Sequence, residues 1–434
     1  MKTQKVFPFL AAVWLAFTLG ADAQNYTLTG SLSQWRYYHS ATLLTNGQVL
    51  VTGGRSSLST VTNSVEIYDP STGNWSAGSP MGTPRSRHNS VSLTNGCVLV
   101  LGGEIDTGAH FTNTCELLDP VTMTWTNTGT MNYRRYIPTA TLLRDGRVLV
   151  AGWDFYTNTT ACELYDPASG TWSLTGSMIA RRTNHCAVLL PDGRVLAGGG
   201  TVNTNTEIYD PKTGQWTLAG AFHTRRILSQ MALLPDGKVL VAGGYYSPSN
   251  STSAEIFDPL TGTWSYTGAM TTNGVGADDS GSMCSLNLLP NGNVLAMVPA
   301  KNSEIYNPSS GSWTNTGSIN TNRYYAKSVL LRNGRVLFVG GYLIARAELY
   351  NSTNAPTQSF SQVYSERQAS GSTIISFAST PNGTNVVLAS TNCSLPKTSW
   401  PSLGRTVEIS PGLYQFADPS ANDYPLRFYR IRSP

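Results

Sequence analysis

The chain has 434 residues, with 12% charged and 10% aromatic side chains and a formal net charge of +4. So sparse and balanced a charge excludes the basic patches that nucleic acid or an anionic membrane surface selects. Charged residues stand at about half the roughly 25% usual for globular chains, and after the N-terminal segment nothing approaches the roughly 20 consecutive apolar residues of a membrane helix.

Lys2 and Lys5 precede an apolar run from Val6 to Gly20 and the small triplet Ala21-Asp22-Ala23. This is the pattern of a secretory signal peptide over residues 1–23, cleaved before Gln24, so a secreted or cell-surface protein is expected. Next comes NYTLTGSL (Asn25 to Leu32), which looks like the end of a unit whose beginning has not yet appeared. The octet returns as TWSLTGSM (Thr171 to Met178) and more loosely as QWTLAGAF and TWSYTGAM, each time closing a repeat.

Turns of the form Leu-x-Asp/Asn-Gly, each followed by an apolar run, place glycines at Gly47, Gly96, Gly146, Gly193, Gly237, Gly292 and Gly334. Their spacings of 42 to 55 residues match a four-stranded blade and not a helical repeat. In the first unit the strands are HSATLL, QVLVTGG, SVEIYDP and NWSAGSP. The Asn-Gly or Asp-Gly pair predicts a tight turn between the first two, and DPSTGNW another between the last two. A tryptophan marks the fourth strand at Trp75, Trp125, Trp172, Trp216, Trp264 and Trp313. The seventh unit stops at AELYN (Ala347 to Asn351), so NYTLTGSL supplies its missing fourth strand, with Tyr26 in the tryptophan position. A ring zipped in this way hides its sheet edges.

The double glycine that ends the second strand and the later tryptophan resemble the kelch repeat, of the galactose oxidase-like propeller superfamily, over about Asn25 to Asn351. The expectation is an all-β chain: a seven-bladed propeller over 24–351, a linker at 352–368 and a small sandwich-like β module at 369–434. Candidate strands of that module are STIISFAS, TNVVLAST, RTVEIS, LYQFAD and RFYRIR. The ending DYPLRFYRIRSP is similar to C-terminal modules of secreted bacterial proteins.

With the first strand of each blade running downward, the length variation falls in the top connections, such as EIDTGAHFTNT and YYSPSNSTSA. Variable loops on a rigid scaffold carry binding. A residue type repeated in nearly every blade serves the blade instead. Arg36, Arg85, Arg135, Arg182, Arg226 and Arg323 precede the turn glycine by eleven residues, with Gly281 in the sixth blade. Glu66, Glu116, Glu163, Glu207, Glu255, Glu304 and Glu348 open the third strands, so buried Arg-Glu pairs are expected, with a ligand-binding ring of arginines as the alternative. In the sixth blade, which carries Asp278 and Asp279, Glu304 would turn to Lys301 or go without a partner. Residues that do not repeat are the binding candidates: Tyr38, His39, Arg87, Arg134, Tyr136, Trp153, Arg181, Arg225, Tyr246 and Tyr325. Aromatic faces interleaved with arginine suit sugar rings or peptide segments, so the expected partner is a glycan or an extracellular protein, bound by a monomer without a cofactor.

The resemblance to galactose oxidase implies the alternative, a copper oxidoreductase or other carbohydrate-active enzyme. Copper in that family is held by tyrosines and histidines, one tyrosine being crosslinked to a cysteine. Tyr38-His39 in RYYHSATLL resembles the family's Tyr-His pair, and Cys186 in NHCAVLLPDG sits where the crosslinking cysteine would. The next repeat has ILSQMALLPDG around Leu228 and offers no tyrosine. His39, His88 and His185 share one position, as a structural histidine would, while His110 and His223 have no partner visible in sequence. No catalytic residue is assigned, since no nucleophile elbow, phosphate loop or zinc-protease helix is present. Most of the six cysteines read as small buried residues, and Cys115 and Cys162, at one place in neighbouring blades, are too far apart to pair.

Overall fold

The computed structural model describes residues 25–57, 60–153, 157, 159–200, 203–246, 249–250, 252–271, 285–297 and 302–351, and strands between 361 and 432. The expected signal segment, Asp278, Asp279 and Lys301 lie outside the described residues.

Between Tyr26 and Tyr350 the chain forms seven four-stranded antiparallel sheets, the seven blades of a propeller. The innermost strands, from Ser40–Leu43 in blade 1 to Lys327–Leu330 in blade 7, each touch the next, and the last returns to the first. The second strands, Val49–Thr52, Val98–Leu101, Val148–Ala151 and their counterparts, are buried along their whole length. Each lies between two neighbouring sheets, which is why their sequences are unbroken apolar runs. Fourth strands such as Thr124–Thr128 form the outer edge and show the half-exposed alternation of an edge strand.

The Asn-Gly turns form as their sequence requires. In blade 1 the Gly47 N–H donates to Leu44 O at 2.9 Å and the Leu44 N–H to Gln48 O at 2.8 Å. Gly47 has φ 88°, a left-handed conformation that costs glycine least.

The ring closes as expected. Tyr26–Thr29 pairs antiparallel with Ala347–Tyr350, in the register Tyr26 to Tyr350 and Thr27 to Leu349. In blades 1, 3, 4 and 6 the fourth-strand tryptophan packs on the third-strand tyrosine, for example Trp75 on Tyr68 at 5.0 Å between ring centres. Tyr26 meets Tyr350 in the same manner at 5.2 Å, and its hydroxyl bonds to Ser303 of the neighbouring blade. The tryptophan indoles join blades: Trp75 donates to Gly30 O, Trp172 to Gly129 O and Trp313 to Gly268 O, each at 2.8 Å.

The C-terminal segment contains a four-stranded sheet and a three-stranded sheet. Each of the five strand candidates contains a strand, and two more appear, Ser361–Arg367 and Ser402–Arg405. Ser361–Arg367 pairs with Thr373–Ala378, so sheet pairing begins inside the stretch read as linker at 352–368.

Candidate ligand site at the channel mouth

The top of the propeller is built in two layers. The lower layer is the repeated one. Arg36–Glu66, Arg85–Glu116, Arg135–Glu163, Arg182–Glu207, Arg226–Glu255 and Arg323–Glu348 are buried ion pairs at 2.6 to 3.1 Å. Each arginine also donates to the carbonyl of a glycine at the end of its own blade's second strand, as Arg226 does to Gly243 O at 2.8 Å. Each glutamate accepts a backbone N–H from the link entering its blade, Ser33 to Glu66 at 2.7 Å and Thr271 to Glu304 at 2.8 Å among them. Fully paired, these charges belong to the scaffold, and a ligand-binding ring of arginines is set aside.

Two residues after each of these arginines the backbone turns left-handed. Tyr38, Arg87, Ile137, Asn184, Leu228 and Tyr325 have φ of 56°, 55°, 48°, 55°, 58° and 59°. Such values are uncommon outside glycine and strained for a β-branched residue, and persist only where the surroundings enforce them. Here inter-blade hydrogen bonds do so: the Arg87 N–H donates to Tyr38 O at 2.8 Å and the Leu228 N–H to Asn184 O at 2.9 Å. All six residues line one cavity of about 340 Å³ at the channel mouth, within the usual range for small-ligand sites of roughly 300–1,000 Å³.

One side of this cavity is aromatic and cationic. Tyr325 packs on Tyr38 with ring centres 4.4 Å apart, and Tyr38 on Tyr37 at 4.9 Å. Trp35 and Tyr342 extend the cluster outward, at 6.0 Å and 5.3 Å from Tyr37. The Arg87 guanidinium lies 3.9 Å above the Tyr38 ring and 5.3 Å from that of Tyr136. It donates to Tyr136 Oη at 2.7 Å and to Glu104 Oε1 at 2.8 Å. Glu104 is buried beneath and also accepts from Arg55 at 2.8 Å and Ser86 Oγ at 3.0 Å. Burial, partly offset by the Arg87 charge, holds the Tyr136 hydroxyl above its ordinary pKa, so that it stays protonated and able to donate to a ligand. Lys327, at the start of blade 7's inner strand, lines the same cavity. Its surroundings leave it half-buried, and desolvation lowers its pKa from the ordinary lysine value.

The three histidines at the shared position hold the blades together. Without a side chain at Gly53 the His88 ring can approach: a Cβ there would stand 2.9 Å from His88 Cε1 and 2.3 Å from Arg85 O. His88 Nε2 shares a hydrogen bond with Thr52 at 2.8 Å, and His185 Nε2 with Thr139 at 3.0 Å, each across to the preceding blade. Burial, reinforced by the neighbouring arginine charges, pushes both imidazoles down to about 3 and His39 well below its ordinary value. His39 rests against Gly340 of blade 7, with neither ring nitrogen hydrogen-bonded. Among the described residues no three His, Cys, Asp or Glu side chains converge as a metal site would require. Cys186 Sγ is 3.6 Å from Ser229 Oγ, with no tyrosine at that contact, and burial raises its thiol to about 11. This donor set does not fit a copper centre with a cysteine-linked tyrosine.

The structure brings Tyr38, His39, Arg87, Tyr136 and Tyr325 of the ten candidates into the cavity lining. Arg134 and Arg181 are exposed on the rim, and Arg225 is half-buried there. Trp153 donates its backbone N–H to Arg182 O at 2.9 Å and stands outside the cavity, while Tyr246 lies in a short hairpin, Tyr245–Tyr246 with Ser249–Asn250. His110 and His223 do have partners, Asp106 at 2.6 Å and Glu255 at 2.9 Å. Cys97, Cys115, Cys162 and Cys186 are free thiols. Sequence reasoning passed over Lys327, Asn89, Asn184, Ile137 and Gln230, all in the lining. The missed signal was register: these residues stand two or four positions after the repeated arginine, where the residue type varies from blade to blade.

The sequence model of the Kelch motif matches residues 36–82 and 232–271, which lie in blades 1 and 5. No curated protein matches the chain. Among solved structures the chain is similar to a novel fungal alcohol oxidase of the AA5 family, with catalytic diversity, in complex with copper. The two share 17% identity at a TM-score of 0.68, over 94% of this chain and 96% of that one. At that identity the likeness is one of fold.

Proposed function

From the premise that this chain is a seven-bladed propeller built of kelch motifs, we propose that it is an exported binding protein that takes a glycan at the mouth of its channel. The observation that carries this reading is the 340 Å³ cavity where Arg87 lies between the rings of Tyr38 and Tyr136, with Tyr325 tilted against Tyr38. Flat aromatic faces receive the apolar face of a sugar, and the amides of Asn89, Asn184 and Gln230 offer paired donors and acceptors for its hydroxyls. An extracellular protein segment is the other partner class such a surface suits.

A glycan array probed with the mature chain tests the proposal. Selective binding that falls at least tenfold in Tyr38→Ala and Arg87→Ala supports it. A blank array, alongside capture of a secreted protein by wild type but not by the variants, replaces the glycan with a protein partner. The oxidase alternative draws on the fold neighbour alone. Stoichiometric copper uptake with alcohol turnover would overturn the binding reading.

A further inference from the structure

We propose that the channel mouth recognises a carboxylate, so that the preferred glycan carries an acidic sugar whose carboxylate meets Lys327. This rests on the glycan reading above and narrows it. The cavity lining contains two cationic side chains, Arg87 and Lys327, and no Asp or Glu among the described residues. The two cations differ in their surroundings. Arg87 shares its charge with Glu104 at 2.8 Å. Lys327 makes no ion pair among the described residues, although six arginines just below it are each matched to a glutamate.

A fold that pairs its buried cations so consistently, yet leaves a half-buried ammonium facing a cavity, holds a site whose counter-ion arrives with the ligand. Charge in a partly desolvated pocket is stabilised by an incoming anion far more than charge on an open surface. Blades 7, 1 and 2 are neighbours in the ring, so Lys327, Tyr325, Tyr38 and Arg87 form one continuous wall. Burial, with the charges of Arg36, Arg85 and Lys327 added, pushes the His39 and His88 imidazoles down, so neither becomes a competing cation near neutral pH.

The test is calorimetric titration of the full chain with two trisaccharides that differ only at C6, one of glucuronic acid and one of glucose. The acidic trisaccharide is expected to bind at least tenfold more tightly, with an advantage that shrinks between 50 mM and 500 mM salt. Lys327→Met should remove that advantage, while Lys327→Arg restores most of it; a melting curve for each variant confirms folding. Equal affinity for the two sugars, or an acidic preference that survives in Lys327→Met, overturns the carboxylate inference while the glycan reading stands. Binding of neither sugar, when neutral sugars also fail on the array, overturns both. The salt dependence of wild type decides the matter should Lys327→Met fail to fold.

Discussion

Arg36 and Tyr38 stand two residues apart, as do Arg85 and Arg87, or Arg323 and Tyr325, yet the two positions follow opposite rules. The first is the same residue in six blades, buried, ion-paired and bonded to a glycine carbonyl. The second takes five residue types in the six described blades that show it, always left-handed and always at the cavity. The lower layer fixes the backbone so firmly that the upper one can hold a strained conformation and still exchange side chains freely. Seven blades thus offer a constant frame and a variable mouth, and the boundary between them is one peptide deep.

The largest test of that frame is removal of residues 25–29. It strips the fourth strand from blade 7 and leaves Ala347–Tyr350 as an open edge that invites pairing between chains. Loss of the monomer on gel filtration is expected, and an unchanged monomer would mean that the ring does not depend on its zipped blade. Next comes Arg226→Ala, which leaves Glu255 buried without its cation and should cost about 3–5 kcal/mol in urea unfolding. Arg181→Ala, on the exposed rim, should stay within about 0.5 kcal/mol. Comparable losses for these two arginines would erase the distinction between layers.

The frame was legible in the sequence because it repeats, and repetition supplies its own control. The closing strand with Tyr26 in the tryptophan position, the Arg-Glu pairs and the structural character of the shared histidines all follow from comparing one blade with the next. The mouth was only half legible. Tyr38 and Arg87 stood out as unusual residues, but so did Arg134 and Arg181, which precede the repeated arginine and lie on the rim instead of in the channel. What separates the two sets is the sign of φ at the residue itself, positive at Tyr38 and Arg87 but not at Arg134 and Arg181, and Ile137 or Leu228 gives no hint of a left-handed backbone. Lys327 escaped for another reason: its meaning lies in having no ion pair among the described residues while each arginine below it has one, which is a property of three-dimensional neighbours.

The histidines set a smaller, pH-dependent test of the frame. His88 and His185 have pKa values of about 3 in the folded chain, against roughly 6.5 when unfolded, so the unfolded chain binds more protons between these limits. Stability is therefore full above pH 6.5 and is lost as pH falls toward 3. Each of the two should cost about 2 kcal/mol between pH 7.5 and 5. Urea unfolding across that range should steepen with acidity, and more shallowly in His88→Gln. An identical slope in the variant would show that this ring is not held neutral between the blades.

Ile137 offers the finest probe of the boundary itself. It is the one β-branched residue in the left-handed ring, at φ 48°, where its branched side chain crowds the backbone. Asparagine tolerates that conformation and occupies the same position in blade 4 as Asn184. Ile137→Asn trades a half-buried apolar contact for relief of about 1 kcal/mol of strain, so its stability should equal or slightly exceed that of wild type. At an ordinary core position a buried isoleucine replaced by a polar residue would cost several times as much. Glycan affinity, by contrast, should change, because Ile137 lines the cavity proposed to take the ligand. If stability falls steeply while affinity holds, Ile137 belongs to the frame and the boundary runs above it.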